Sequence, residues 1–217
     1  MAAVLGSAGN QFDGLSGALY DRYIQSPVLS AVFGRLQWGS DARAMREHME
    51  RSVRSVPAGA TVVDVPCGGG LLLRWLDPGF AGRWLAVDLS RTMLARTERL
   101  GVAGVETVLA DASELPFDDG TVDVVMAYNG LHHFADAPRA LREAMRVLKP
   151  HGSLHGCMLV EGERAASDRL IAVYRRLGWF GPAGTASDLD RWLVDAGFTD
   201  VVVESDGAIA TFDGRPR

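Results

Sequence analysis

The residues best suited to chemistry stand at the ends of four apolar runs. Thr61-Val62-Val63-Asp64-Val65 is a β-branched stretch with an acid near its end, followed by Pro66-Cys67-Gly68-Gly69-Gly70. Such a run suits a strand covered on both faces, and successive glycines admit positive φ and let a ligand lie against bare backbone. Trp84-Leu85-Ala86-Val87 also ends in an acid, Asp88, and Val105 to Ala110 ends at Asp111. A carboxylate at a strand end can accept hydrogen bonds from both hydroxyls of a ribose. The run from Thr121 to Tyr128 leads to Asn129 and then to His132-His133. Imidazoles titrate near neutral pH, which makes either histidine a candidate general base. The alternative is structural, with one ring bonding backbone and the other touching a cavity.

A dinucleotide site needs its glycines at G-x-G-x-x-G spacing. Gly68 and Gly70 fill the first two places, but the third falls on Leu73. Asp64 would also repel a pyrophosphate lying over the turn. A cationic ligand suits this stretch better.

The elements that must position these residues alternate along the chain. Leu71 to Leu76 reads as a short helix stopped by Asp77-Pro78-Gly79. The step from Asp64 to Asp88 has the length of one β-α-β unit in a right-handed parallel sheet. Ser90 is an N-cap for the next helix, and Asp136 caps another that has Pro138 in its first turn. Leu141, Met145 and Leu148 form that helix's expected buried stripe, ended by Leu148-Lys149-Pro150-His151-Gly152, with Ser153 to Val160 as a fifth strand. One arginine-bearing helix through Tyr174 and Leu177 leads to the Gly178-Trp179-Phe180-Gly181-Pro182 loop. A short helix, Ser187 to Ala196, is closed by Gly197 and precedes Val201-Val202-Val203 and Ala208 to Phe212. Ahead of the first strand, Gln11 to Val56 has helical periodicity, broken near Pro27 and with a capping region at Gly39-Ser40-Asp41.

Composition narrows the class. The chain has 217 residues, 47% hydrophobic and 23% charged, as expected of one globular α/β domain. A net charge of −5 leaves no footprint for nucleic acid or an anionic membrane surface. Cys67 and Cys157 are too few for a disulfide framework and lack zinc-site spacing, so no metal is expected. Neither a signal peptide nor a membrane span is legible, and a cytoplasmic location is expected.

The stretch Asp64 to Gly70 resembles the first motif of the Rossmann-like S-adenosylmethionine-dependent methyltransferases, with Pro66 where that family has a glycine. Asp88-Leu89-Ser90 with Met93-Leu94 is similar to its second motif, and Asp111-Ala112 to its third. Leu148-Lys149-Pro150-His151-Gly152 matches the family's Leu-Lys-Pro-Gly-Gly, with His151 for a glycine. The His132-His133 pair resembles the small-molecule branch that includes the quinone-biosynthesis enzymes. Asn129 is followed by Gly-Leu, not by the Pro-Pro-aromatic of enzymes that methylate exocyclic amines of bases.

The resemblance implies a doubly wound, mostly parallel seven-stranded α/β sheet with a C-terminal antiparallel hairpin and N-terminal lid helices. It implies a cofactor, S-adenosyl-L-methionine. Asp64 would meet its amino group, the Pro66-Cys67-Gly68 and Gly70 backbone its methionine part, and Asp88 its ribose. Asp111 and Ala112 would meet the adenine, Leu89 one face of that ring, and Asn129 would complete the set. Residues 1–56 would form the lid, with Phe12, Tyr20, Tyr23, Phe33 and Trp38 as candidate cavity linings or, alternatively, as packing. Residues 57–217 would form the core, and 161–186 a substrate-facing insert. The expected activity is methyl transfer to a small organic acceptor, with His132 or His133 as the base. The rival is a protein of this fold that binds the cofactor but performs non-methylating chemistry such as cyclisation, or a regulatory role.

Overall fold

The computed structural model describes residues 26–217. Those residues form a seven-stranded sheet in the order β3-β2-β1-β4-β5-β7-β6. The strands are β1 Thr61–Asp64, β2 Arg83–Asp88, β3 Val105–Leu109, β4 Val122–Tyr128, β5 Leu148–Leu159, β6 Phe198–Asp206 and β7 Ile209–Pro216. β1 to β5 are parallel, and β7 runs antiparallel between β5 and β6. The chain moves outward from β1 to β3 and then returns to place β4 on the other side of β1. Helices leave β1 and β4 in opposite directions, and a crevice opens beyond the carboxyl ends of these two strands.

Side chains alternate between two cores. Val63, Val65, Leu85, Val87, Val125 and Ala127 face one layer, made with helices α4 (Ala137–Val147) and α6 (Ala186–Ala196). Val62, Trp84, Val124, Met126 and Tyr128 face the other, made with α2 (Arg43–Arg54), the 3-10 turn Leu71–Trp75 and α5 (Ala165–Arg176). This period-two split of Val-rich strands is what a sheet covered on both faces requires. The remaining helices are α1 (Pro27–Gln37) and α3 (Arg91–Glu98).

Several local expectations are refined. The segment after Gly70 is a 3-10 turn, not an α-helix. β5 begins at Leu148 directly after α4, because Pro150 cannot continue a helix, and a register shift between Val122 and Val124 absorbs the extra residues. The buried face of α4 is therefore Ala137, Ala140, Leu141, Ala144 and Val147, while Met145 is only half-buried. α6 carries a capping box that the sequence reading did not name, with Thr185 Oγ1 and Asp188 exchanging hydrogen bonds. Gly197 closes the same helix at φ 104. At the start of α2, Ser40 Oγ accepts the Ala42 N–H and Asp41 the Arg43 N–H.

Among the described residues, the aromatics ahead of the first strand fit the packing alternative. Phe12, Tyr20 and Tyr23 lie outside them. Trp38 is buried in the core with Met45 and Met49, its ring centroid 6.3 Å from Tyr174. Phe33 is exposed on α1, and neither residue reaches the cavity described below. α2 packs behind β4 and β7, so its aromatic neighbour Trp38 serves packing.

Candidate functional site

A cavity of about 870 Å³ lies at the carboxyl ends of β1, β2, β3 and β4. One wall is the turn after β1. Cys67 N–H donates to the Val87 carbonyl at 2.8 Å, and Gly68, at φ 53, donates its N–H to Asp88 Oδ2 at 2.9 Å. Asp88 Oδ1 accepts the Ser90 N–H at 2.8 Å. One carboxylate thus ties the first turn to the second and starts α3, whose N-cap is Ser90. A Cβ at Gly68 would meet no protein atom within 4 Å, so that face of the backbone is open to a ligand.

Asp64 is the unusual residue of this wall. It is 1% exposed, and its Oδ2 makes no hydrogen bond. Burial pushes its carboxyl well above the ordinary value, and the Asp88 charge adds to this. The Trp84 indole acts the other way, although its N–H also makes no hydrogen bond within the structure. A buried carboxyl oxygen without a donor is costly, and a cationic amine on the cavity side is the group that satisfies it. The donor set therefore fits the amino group of S-adenosylmethionine. Cys67, by contrast, is driven further from its thiolate by burial.

At the far side of this half, Asp111 Oδ1 accepts from Ser113 N–H and Oγ at 2.8 and 2.7 Å. Leu89 is 44% exposed and lines the cavity, as do Ala112 and Asn129. Asn129 adopts φ 54, and its Oδ1 accepts from the Cys157 thiol at 3.4 Å.

The structure brings Asp64, Pro66, Cys67, Gly68, Asp88, Leu89, Asp111, Ala112, Asn129 and His133 to one cavity. Gly70 does not belong to its wall. Its φ of 78 starts the 3-10 turn, and a Cβ there would lie 2.7 Å from Leu100 Cδ1, so this glycine serves packing. Gly69 lines the cavity in its place.

The histidines separate. His132 is 3% exposed, is absent from the cavity wall, and accepts the Leu159 N–H on Nδ1 at 3.2 Å. Burial, and then the neighbouring His133, hold it well below its ordinary value, so it is a neutral structural ring. His133 reaches the cavity, and its Nδ1 lies 2.9 Å from the Trp179 carbonyl. A carbonyl only accepts, so Nδ1 carries the proton and the ring lone pair sits on Nε2. Burial lowers this imidazole to about 4, the Trp179 bond opposing the shift.

The loop after α5 supplies residues that only the insert expectation anticipated. Phe180 packs edge-on against both histidine rings, with centroids 4.9 and 5.0 Å away. Gly181 N–H donates to the His132 carbonyl, and a Cβ at Gly181 would lie 1.9 Å from the Phe134 oxygen. Tyr128 is a second wall residue that sequence reading did not single out, although its place at a strand end beside Asn129 was a signal. Among the described residues no group of acids, histidines and cysteines could hold a metal.

Residues 63–155 match the methyltransferase domain family model. The chain is 30% identical over 158 residues to arginine-hydroxylase NDUFAF5, mitochondrial, of Homo sapiens, covering 70% of this chain and 46% of that protein. It is 36% identical over 126 residues to the ubiquinone/menaquinone biosynthesis C-methyltransferase UbiE of Idiomarina loihiensis, covering 55% and 49%. The chain thus spans about half the length of these relatives. Among solved structures, a complex between the Haloferax volcanii Trm112 methyltransferase activator and the putative methyltransferase aligns with TM-score 0.71 at 20% identity, covering 97% of this chain and 98% of that one. The methyltransferase domain match thus lies on the strands that build the cavity, and the chain shares the fold of the methyltransferase in that complex.

Proposed function

We propose that this protein transfers the methyl group of S-adenosylmethionine to a small organic acceptor held between the cofactor and the His133–Phe180 wall. The observation that carries the reading is the almost fully buried Asp64 carboxyl among the residues lining the cavity, a group that a cationic amine suits. Bound there, the cofactor supplies a methyl group already activated by the sulfonium charge. The chain's own task is to hold and align. Asp64 holds the amino group, and the Pro66 to Gly69 backbone lies along the methionine part. Asp88 takes the ribose hydroxyls, Asp111 and Ala112 the adenine edge, and Leu89 one adenine face. Asn129 closes the cavity beside the methyl group.

Alignment of acceptor, methyl and sulfur can supply roughly 7–11 kcal/mol. Phe134 and Phe180 line the acceptor side and exclude water. For a hydroxyl or an acidic carbon, Nε2 of His133 is the proton acceptor, with Nδ1–H held by the Trp179 carbonyl. The small-molecule acceptor agrees with the resemblance to the quinone-biosynthesis enzymes and with the UbiE relative. The reading includes neither nucleic acid nor membrane as partner and places the enzyme in the cytoplasm.

A second reading keeps the cofactor but assigns non-methylating chemistry to the same cavity, and the hydroxylase name of the human relative favours it. One experiment separates the two. The protein is incubated with S-adenosylmethionine and a panel of quinols, phenols and small amines, and S-adenosylhomocysteine is followed by liquid chromatography. Acceptor-dependent formation supports methyl transfer. Tight cofactor binding without turnover across the panel supports the second reading.

A further inference from the structure

Helix α4 carries an ion pair that the methyl-transfer reading does not use. Glu143 and Arg146 stand one turn apart, and Arg146 Nε and Nη2 each donate to the Glu143 carboxylate at 2.8 Å. The pair grips the loop between β3 and β4. Glu143 Oε2 accepts the Leu115 N–H at 2.9 Å, and Arg146 Nη2 donates to the Leu115 carbonyl at 3.0 Å. Arg146 Nη1 donates to the Phe117 carbonyl at 2.8 Å and to Asp119 Oδ1 at 2.6 Å.

The first part of that loop is the adenine side of the cavity. Residues 110–114 line the wall, and Leu115 follows them without reaching it. At the near end, Ala110 N–H donates to the Asp88 carbonyl at 3.3 Å, and within the turn Glu114 N–H donates to the Asp111 carbonyl at 3.0 Å. The far end is held from α4. The Leu115 side chain is buried in the core, but apolar burial has no direction and leaves the peptide planes on either side free to turn. The N–H and the carbonyl of Leu115 belong to those two planes, and the pair binds both.

We propose that Glu143 and Arg146 are positioning residues for the adenine end of the cavity, acting on the base through the 111–115 turn. The proposal rests on the cofactor reading above, in which Asp111 and Ala112 meet the adenine edge. A binding edge discriminates only when its groups are held to within about 0.5 Å of the productive geometry. The bond from Arg146, opposed by burial and aided by the Leu115 N–H, holds the Glu143 carboxyl below its ordinary value, which keeps it an acceptor. A lysine at 146 would not serve, because one ammonium cannot span Glu143 and the Leu115 and Phe117 carbonyls as the planar guanidinium fork does.

The test has two arms. The first uses the unaltered chain, in which hydrogen exchange at the Leu115 amide is followed by NMR, free and with S-adenosylhomocysteine. The free chain is expected to protect this amide as it does those of α4, and the bound ligand to slow its exchange about tenfold further, although Leu115 lies outside the cavity wall. Fast exchange in the free chain removes the grip on the loop. Exchange that a bound ligand leaves unchanged removes the link to the base, and either result overturns the proposal.

The second arm reads base discrimination. Wild type, R146K, R146Q and E143A, each shown folded by circular dichroism, are titrated by calorimetry with S-adenosylhomocysteine and with its inosine analogue, which has a carbonyl in place of the adenine amino group. Wild type is expected to favour S-adenosylhomocysteine about tenfold, and each variant to lose most of that preference by binding S-adenosylhomocysteine alone more weakly. Equal losses for both ligands, or an unchanged preference in a folded variant, mark a purely structural pair and overturn the proposal. Equal affinity of the wild-type chain for both ligands overturns it as well, with the cofactor site intact. Where a variant does not fold, the others and the first arm decide. If the wild-type chain binds neither ligand, the cofactor reading fails and the positioning role falls with it, while exchange in the free chain still decides whether the pair grips the loop.

Discussion

The two halves of the cavity are held by different means. On the β1–β2–β3 side, carboxylates near strand ends are fixed by backbone N–H groups of the turns at those ends: Asp88 by Ser90 of its own turn and by Gly68 of the turn after the neighbouring strand, Asp111 by Ser113. On the β4 side, the wall depends on contacts between distant segments. His133 is fixed by the Trp179 carbonyl, His132 by the Leu159 N–H, and Phe180 wedges against both rings. The first half is a set of turns that assemble locally and present backbone. The second exists only after α5 and its following loop have docked. A common cofactor site suits the first construction, and a changeable acceptor site suits the second, since loops vary while the scaffold persists.

The largest effect expected is in the locally built half. Gly68→Val places a β-branched residue at φ 53, at a cost of about 1–3 kcal/mol, and its methyls enter space the ligand needs. S-adenosylhomocysteine affinity should fall about 100-fold or more in calorimetry. Wild-type affinity would make the turn a plain connection and remove the contrast between the halves.

In the docked half, His133→Ala should lower turnover about 100-fold while leaving cofactor affinity unchanged. With its imidazole at about 4, wild-type turnover should stay level through neutral pH and fall only near pH 4, as Nε2 takes a proton. His132→Ala should behave differently. It leaves the Leu159 N–H without its acceptor, so stability should drop by about 1–3 kcal/mol in denaturant melts, with turnover per folded molecule retained. Identical behaviour of the two variants would erase the distinction between a cavity ring and a structural one.

Asp88→Ala should raise the S-adenosylhomocysteine dissociation constant about tenfold, because the ribose hydroxyls lose a charged acceptor. The Gly68 N–H loses its acceptor at the same time, so backbone order in the turn, read by amide exchange, should fall with the affinity. Unchanged affinity in a folded variant would take Asp88 out of the site.

The smallest effect is on stability at Asp64. Burial raises this carboxyl above its ordinary value, so the folded chain retains a proton that the unfolded chain releases. Stability from the neutral form is complete below the unfolded value near about 4 and is lost as pH rises through the folded value. Asp64→Asn fixes the neutral form. Thermal melts of the free protein should therefore show the variant more stable than wild type in alkaline buffer and equal to it in acid, while cofactor affinity falls. A variant that is less stable at alkaline pH would contradict the buried, donorless carboxyl.

Much of the locally built half was legible in the sequence because its determinants are short-range. A β-branched run, an acid and glycines in succession leave few alternatives for Asp64 to Gly69, and the same holds for the strand ends at Asp88 and Asp111. The helix stops at Pro150 and Gly197 follow from backbone chemistry of the same kind, while the seven-stranded sheet with its antiparallel C-terminal pair was implied by the family resemblance. Gly70 shows where this ends, since only the packing of Leu73, Thr97 and Leu100 around it reveals a glycine kept for space and not for a ligand. The identity of the histidine that meets the cavity was equally beyond the sequence. His132 and His133 are adjacent in one 3-10 turn with ring centroids 4.3 Å apart, yet only His133 lines the cavity. Which ring faces inward depends on hydrogen bonds from Leu159 and Trp179, 27 and 46 residues away. The partners of His48 are likewise distant, Tyr128 and Asp213 lying 80 and 165 residues away. Protonation and exposure belong to the surroundings of a side chain, and the fold alone assembles those surroundings.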